Sequence, residues 1–136
     1  MIEIPAAALT VRTFLKYFDF LSIGTNDLIQ YTLTIDRADE AVAQLYDPFH
    51  PAVLRLVAEV IQAATAAGKE VCVCGEMAGD TAMTRLLLGL GLRSFSMQPA
   101  QILAIKQEVL RADTRRLAGW AQQVIASEDP AGVLES

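Results

Sequence analysis

Histidine and tryptophan each occur once in these 136 residues, and cysteine occurs twice. A lone histidine with no serine or cysteine near it identifies no catalytic triad. The two thiols, Cys72 and Cys74, stand in an extended stretch that sets their Cα atoms about 6.6 Å apart with no turn between them, so no disulfide is expected. Free thiols accord with a reducing, cytoplasmic compartment. Positive charge is also in short supply: 11 Lys and Arg against 16 Asp and Glu leave a net −5, which excludes the basic footprint of a nucleic-acid-binding surface. The longest nearly uninterrupted apolar run, residues 86–92, is far shorter than the roughly 20 residues a membrane span requires. The N-terminus has no basic region ahead of an apolar one, so no export signal is read there. Neither GxGxxG, a Walker loop nor zinc-ligand spacing occurs. The expectation is a cytoplasmic protein with no nucleic-acid and no membrane partner.

What the chain does have is apolar content: 53% of residues, with only 20% charged, more than one small domain of this length easily buries. Residues 1–5 read as the end of a buried strand, and a helix over residues 6–18 follows, with Pro5 near its start. A second apolar run, residues 19–24, leads into polar Thr25-Asn26-Asp27, which offers caps for a helix through about Leu33. Residues 36–45 read as a short surface helix opened by charge. Pro51 stands at the first position of a long helix whose Val53, Val57, Val60, Ile61 and Ala64 share one face, with Gly68 as its stop and His50 where a cap belongs. Residues 70–74 form a third strand, and a two-glycine loop leads to an apolar helix over residues 81–88. A short strand over 94–97, a helix after Pro99 and a last helix capped by Asp113 complete the order, and the polar tail from Ser127 is frayed or only briefly helical.

Four strand-helix units with near-continuous apolar strands indicate an α/β protein with a parallel sheet. A complete (β/α)8 TIM barrel needs about 250 residues, so the expectation is the C-terminal half of such a barrel over residues 1–112, followed by a C-terminal helix and tail over 113–136. The rival is a small open α/β sheet complete in itself. A half-barrel has unpaired edges and an inner face its own helices do not cover. That predicts exposed apolar surface and a homodimer or larger homo-oligomer.

In such folds ligands lie beyond the carboxyl ends of the strands. Glu3 ends the first strand, Asn26 and Asp27 follow the second, and Cys74 and Glu76 end the third. Glu3 and Asp27 could together hold Mg²⁺, a hard cation that takes one or two carboxylates plus phosphate and water; the plainer alternatives are a helix cap for Asp27 and an ion pair for Glu3. Arg37 could clamp a carboxylate or phosphate, or be a solvated charge. Cys74 is a buried small hydrophobe unless its place beside a glycine loop gives it chemistry.

The stretch Phe20-Leu21-Ser22-Ile23-Gly24-Thr25-Asn26-Asp27-Leu28-Ile29-Gln30-Tyr31-Thr32-Leu33, with Asp36-Arg37 beyond it, resembles the signature of the phosphoenolpyruvate-utilising enzymes. Met1-Ile2-Glu3-Ile4-Pro5-Ala6-Ala7 and Cys74-Gly75-Glu76-Met77-Ala78-Gly79-Asp80 are similar to two further blocks. Within the family they point to the branch that phosphorylates a protein histidine at the start of the bacterial sugar phosphotransferase relay. A nitrogen-regulatory paralogue, a phosphoenolpyruvate synthase or pyruvate phosphate dikinase, and a non-catalytic assembly module are the alternatives. The resemblance extends over about residues 1–112. It implies Mg²⁺ on Glu3 and Asp27, substrate contacts from Asn26, Asp27 and Arg37, and Cys74 as the proton donor to the enolate. It further implies phosphoenolpyruvate and pyruvate as ligands. The phosphohistidine and the contact with a histidine-containing phosphocarrier protein belong to an N-terminal domain that these residues do not include. His50 does not match that histidine, and the chain by itself is expected to be inactive.

Overall fold

The computed structural model describes residues 1–135. In chain order its helices are α1 (Pro5–Leu9), α2 (Val11–Phe14), α3 (Thr25–Leu33), α4 (Pro51–Ala66), α5 (Thr81–Gly89), α6 (Ile102–Arg111), α7 (Thr114–Ala126) and α8 (Pro130–Glu135). The strands are β1 (Phe20–Gly24), β2 (Glu70–Cys74) and β3 (Ser94–Phe95). They form one parallel sheet in the order β1-β2-β3. This is the α/β arrangement expected, with one reduction. The first of the four expected strands is a single parallel bridge, Ile2 to Ile23, in which the Ile2 amide donates to the Ser22 carbonyl at 2.7 Å and the Gly24 amide to the Ile2 carbonyl at 2.9 Å. Pro5, which has no N–H and a φ suited to a helix, turns the chain into α1 before the pairing lengthens.

Strand alternation sorts the sheet into two faces. Leu21 pairs in register with Val71 and Ile23 with Val73, and all four are buried. They meet α4, whose Val53, Leu54, Val57, Val60 and Ile61 are each at most 1% exposed. Each such side chain contributes about 1.5–3 kcal/mol through removal from water, so the α4–sheet layer carries much of the stability. The opposite face is more polar at its strands than expected. It presents Ser22, Cys72 and Ser94 aligned across the three strands, with half-buried Cys74 beyond them, and Cys72 and Ser94 share an apolar groove with Ile102, Val109 and Leu110 of α6. Further exposed apolar side chains are Leu103 on α6 and the Tyr17-Phe18-Phe20 approach to β1.

Local chemistry explains the other departures. The helix expected over residues 6–18 breaks at Thr10, where the hydroxyl and the amide both bond the Ala6 carbonyl, at 2.7 and 3.2 Å, a competition typical of threonine. The surface helix expected over residues 36–45 is reduced to turns and one 3₁₀ turn, Ala43–Leu45. The Asp36 carboxylate accepts from the Ala38 amide at 2.8 Å and the Asp39 carboxylate from the Ala41 amide at 3.0 Å, so Asx turns take the groups a helix needs. Thr25, Asn26 and Asp27 form the first turn of α3 rather than its cap, which is Gly24. The fourth strand stops at Phe95 rather than Met97 because its partner ends at Cys74 and Gly75 turns away at φ +95°.

α7 lies directly on α5. A Cβ on Gly89 would stand 2.6 Å from the Leu117 carbonyl oxygen, so only glycine allows the two backbones to approach this closely. No helix among the described residues is long and apolar enough to cross a membrane.

Candidate functional site

Beyond the carboxyl ends of the strands the chain forms an open cleft of ≈ 640 Å³, lined by Asn26, Arg37, Cys74, Glu76, Ser96 and Gln101 among others. Three elements bring these residues together. β1 runs straight into α3, so Asn26 and Asp27 sit in the first helical turn. β2 delivers Cys74 and then Gly75, whose φ of +95° is left-handed and suits glycine alone. The loop after α3 carries Arg37 back across the opening.

Gly75 is also a close contact. A Cβ there would lie 2.8 Å from the Thr25 hydroxyl and 3.0 Å from Asn26 Oδ1. The Thr25 hydroxyl, fully buried, donates to the Cys74 carbonyl at 2.8 Å. Asn26 Oδ1 accepts from the Glu76 amide at 3.0 Å. Together these bonds tie the start of α3 to the end of β2, and they orient the Asn26 amide with its NH₂ group left for a ligand. The Cys74 thiol donates to the Ile23 carbonyl at 3.3 Å and lies 3.5 Å from Ser22 Oγ. It is therefore held between two strands at the floor of the cleft.

Arg37 Nη1 stands 3.1 Å from Glu76 Oε1, with both side chains substantially in solvent. An ion pair this exposed stabilises by about 1 kcal/mol or less, so a doubly charged ligand has little to displace. Glu3 sits over the end of β1: a Cβ on Gly24 would meet Glu3 Cγ at 2.7 Å and Oε1 at 3.1 Å. The structure thus sets the carboxylate of Glu3 beside Gly24, with Asp27 three residues further on. No group of three or more His, Cys, Asp and Glu side chains capable of holding a metal is present among the described residues. Two carboxylates without a third protein ligand do not make a closed cage. Neither Glu3 nor Asp27 is among the residues that line the cleft.

The partner of Arg37 and the surroundings of Tyr46 carry no signal in the sequence. Glu76 stands there at a strand end and within a family block, but its pairing with Arg37 spans 39 positions. Tyr46 is half-buried, and burial raises its ionisation above the ordinary 10.0; the positive charge of Arg37 pulls it down, while Glu76 and Asp27 push it up. Ser22 was reachable, since strand parity puts it in register with Cys72 and on the face of Cys74. His50 lies outside the cleft lining. Its Nδ1 accepts from the Ala52 amide at 3.1 Å and caps α4, the structural role its position indicates.

Residues 1–114 match the family described as PEP-utilising enzyme, PEP-binding domain. Among curated relatives, the phosphoenolpyruvate-protein phosphotransferase of Cupriavidus necator is 65% identical over 130 residues, covering 96% of this chain and 22% of that protein. The protein of the same name from Enterococcus faecalis is 50% identical over 129 residues, covering 95% and 22%. That from Listeria monocytogenes is 47% identical over 135 residues, covering 99% and 24%. The chain thus spans less than a quarter of the length of these relatives. With a parallel α/β sheet whose cleft gathers Asn26, Arg37 and Cys74, and a match over most of its length, the chain belongs to the phosphoenolpyruvate-utilising enzymes, in their PEP-binding domain.

Proposed function

We propose that this chain is the C-terminal half of the phosphoenolpyruvate-binding (β/α)8 barrel of a phosphoenolpyruvate-protein phosphotransferase, with residues 1–112 as the binding unit and 113–136 as a C-terminal helix and tail, of which α7 packs on α5. The observation that carries this reading is the convergence of Asn26, Arg37 and Cys74 on one cleft at the carboxyl ends of parallel strands. The relatives' shared name supports it.

Arg37 binds and neutralises the phosphoryl oxygens in the forked geometry that guanidinium offers, and the Asn26 amide donates to the substrate. Glu3 and Asp27 are the residues that would hold Mg²⁺. Bound there, the ion would offset negative charge on the phosphoryl group. In the reaction the P–O bond to the enol oxygen breaks and the phosphoryl group passes to a protein histidine. The enolate left behind takes a proton at C3, and the Cys74 thiol supplies it, which makes the product pyruvate and draws the transfer forward. The Cys74 sulfur reaches the substrate by turning away from the Ile23 carbonyl. The acceptor is not His50, whose Nδ1 is engaged at the α4 terminus; it lies in a separate domain, through which a histidine-containing phosphocarrier protein is reached. By itself the chain binds the substrate and does not turn it over.

Titration calorimetry with phosphoenolpyruvate and Mg²⁺ tests the binding step. Arg37→Ala is expected to weaken the ligand about tenfold or more, and Glu3→Ala and Asp27→Ala each to weaken Mg²⁺ or Mn²⁺ by a similar factor. A chain that binds neither ligand nor metal yet still self-associates is an assembly module instead. In the complete enzyme, Cys74→Ala should leave phosphorylation of the histidine measurable while slowing pyruvate release; unchanged steady-state pyruvate formation removes Cys74 from the acid role.

A further inference from the structure

A second pocket, of ≈ 350 Å³, lies where α5, α6 and α7 meet, and it shares no lining residue with the cleft. Three arginines line it: Arg85 from α5, Arg111 from the last turn of α6 and Arg116 from the first turn of α7. In a chain of net charge −5 with only 11 basic residues, this is a marked concentration of guanidinium groups. None of the three takes part in an ion pair; the two found among the described residues are Arg12–Glu59 and Arg37–Glu76. Glu108 and Asp113 also line the pocket, but neither comes within ion-pair range of these arginines. The Asp113 carboxylate is engaged in capping α7, accepting from the Arg115 amide at 3.0 Å.

The three guanidinium groups outnumber the two carboxylates that line the same cavity, and arginine, unlike lysine or histidine, keeps its charge when brought close to like charges. The excess positive charge favours an anion. Guanidinium groups favour oxyanions that accept two parallel N–H bonds, phosphate above all. Arg85 is also held in place, its guanidinium carbon 5.7 Å from the centroid of the Trp120 ring, an arrangement favoured by the negative face of the indole.

We propose that this pocket is a binding site for a small phosphate-type oxyanion, either free phosphate or a phosphomonoester, held by Arg85, Arg111 and Arg116 and separate from the phosphoenolpyruvate cleft. The ligand clamps α6 and α7 to α5, so its occupancy stiffens the junction between the binding unit and the C-terminal helices.

Trp120 is the only tryptophan and reports on Arg85 directly. The test follows its emission in the full 136-residue chain carrying Arg37→Gln, which removes anion binding at the cleft. Inorganic phosphate and glycerol phosphate are titrated separately at constant ionic strength, balanced with sodium chloride. A saturable change with phosphate and none with chloride is expected, and Arg111→Gln and Arg116→Gln should each weaken it about tenfold. Saturation with both probes identifies the phosphate group alone as the ligand, whereas saturation with only the ester shows that its organic part is needed. Both arginines are exposed, so the variants should melt as the parent does without phosphate; should either fail to fold, Arg→Lys at the same position, which keeps the charge and loses the fork, replaces it. A response that is linear and equal for phosphate and chloride, or that survives loss of Arg111 and Arg116, overturns the proposal.

Discussion

Gly75 governs the cleft at the scale of a single residue. Its left-handed φ and the 2.8 Å approach a Cβ would make to Thr25 Oγ1 leave no room for a side chain against a fully buried neighbour. Gly75→Ala should therefore cost about 2 kcal/mol or more of stability, read as a lower urea midpoint, and should loosen the Asn26–Glu76 bond; a variant as stable as the parent contradicts the strain argument. Tyr46 gives a pH prediction. Its folded-state pKa is raised, mainly by burial, above the ordinary 10.0, so the folded chain holds the phenol proton more tightly than the unfolded chain does. The associated stabilisation is complete below pH about 10 and is lost as the pH rises through the folded-state value. Tyr46→Phe should make the alkaline decline in melting temperature shallower, and an unaltered slope would show that other groups cause it. Both residues mark the boundary of what the sequence discloses. That Asn26, Arg37 and Cys74 share one cleft is legible because each ends a strand or belongs to a recognisable block. Tyr46 and the Arg37–Glu76 pair depend on the path of the 36–50 loop, which no local pattern encodes.

Among the elements, α4 and β2 were the most legible. Pro51 at the first helical position, an unbroken apolar face and Gly68 at φ +66° all indicate one helix, and β2 spans the five residues its pattern marks. Legibility fails where side chains compete with the backbone, as at Thr10, Asp36 and Asp39, because propensity and charge pattern do not register a carboxylate that bonds an amide two residues on. The cap of α4 is testable. His50→Ala should lower stability by about 1 kcal/mol, whereas His50→Asp, a strong cap former, should retain it. Equal losses in both variants, read as urea midpoints, would show that the cap bond is not what His50 contributes. α3 ends on Thr34 at φ +55°, a conformation that costs a β-branched residue about 1–2 kcal/mol. Thr34→Gly relieves that cost at the expense of chain entropy, so a modest rise in melting temperature is expected, and a fall would show that the Thr34 hydroxyl bond to the Leu33 carbonyl outweighs the strain.

The whole molecule has an open-ended character. Its three-stranded sheet ends on the two-residue strand β3, and beside that edge an apolar groove of ≈ 660 Å³ runs along α6, where Ile102 is 48% and Leu110 76% exposed. Unpaired edges and apolar surface of this kind favour association, and the expected result is that light scattering at micromolar concentration returns at least twice the mass of one chain; a single-chain mass would show that the edge is tolerated in water. The apolar composition foretells this exposure, but α6 rather than the strands supplies most of it, because the strands themselves carry serines and cysteines on their open face. Those cysteines have a practical consequence. Cys72 and Cys74 are the only thiols in the chain, both are free, and both lie on the face that any closing partner must cover. Their rate of alkylation is thus a chemical gauge of closure: fast in the lone chain, and slow whenever a second copy or the remainder of a barrel sits against the sheet.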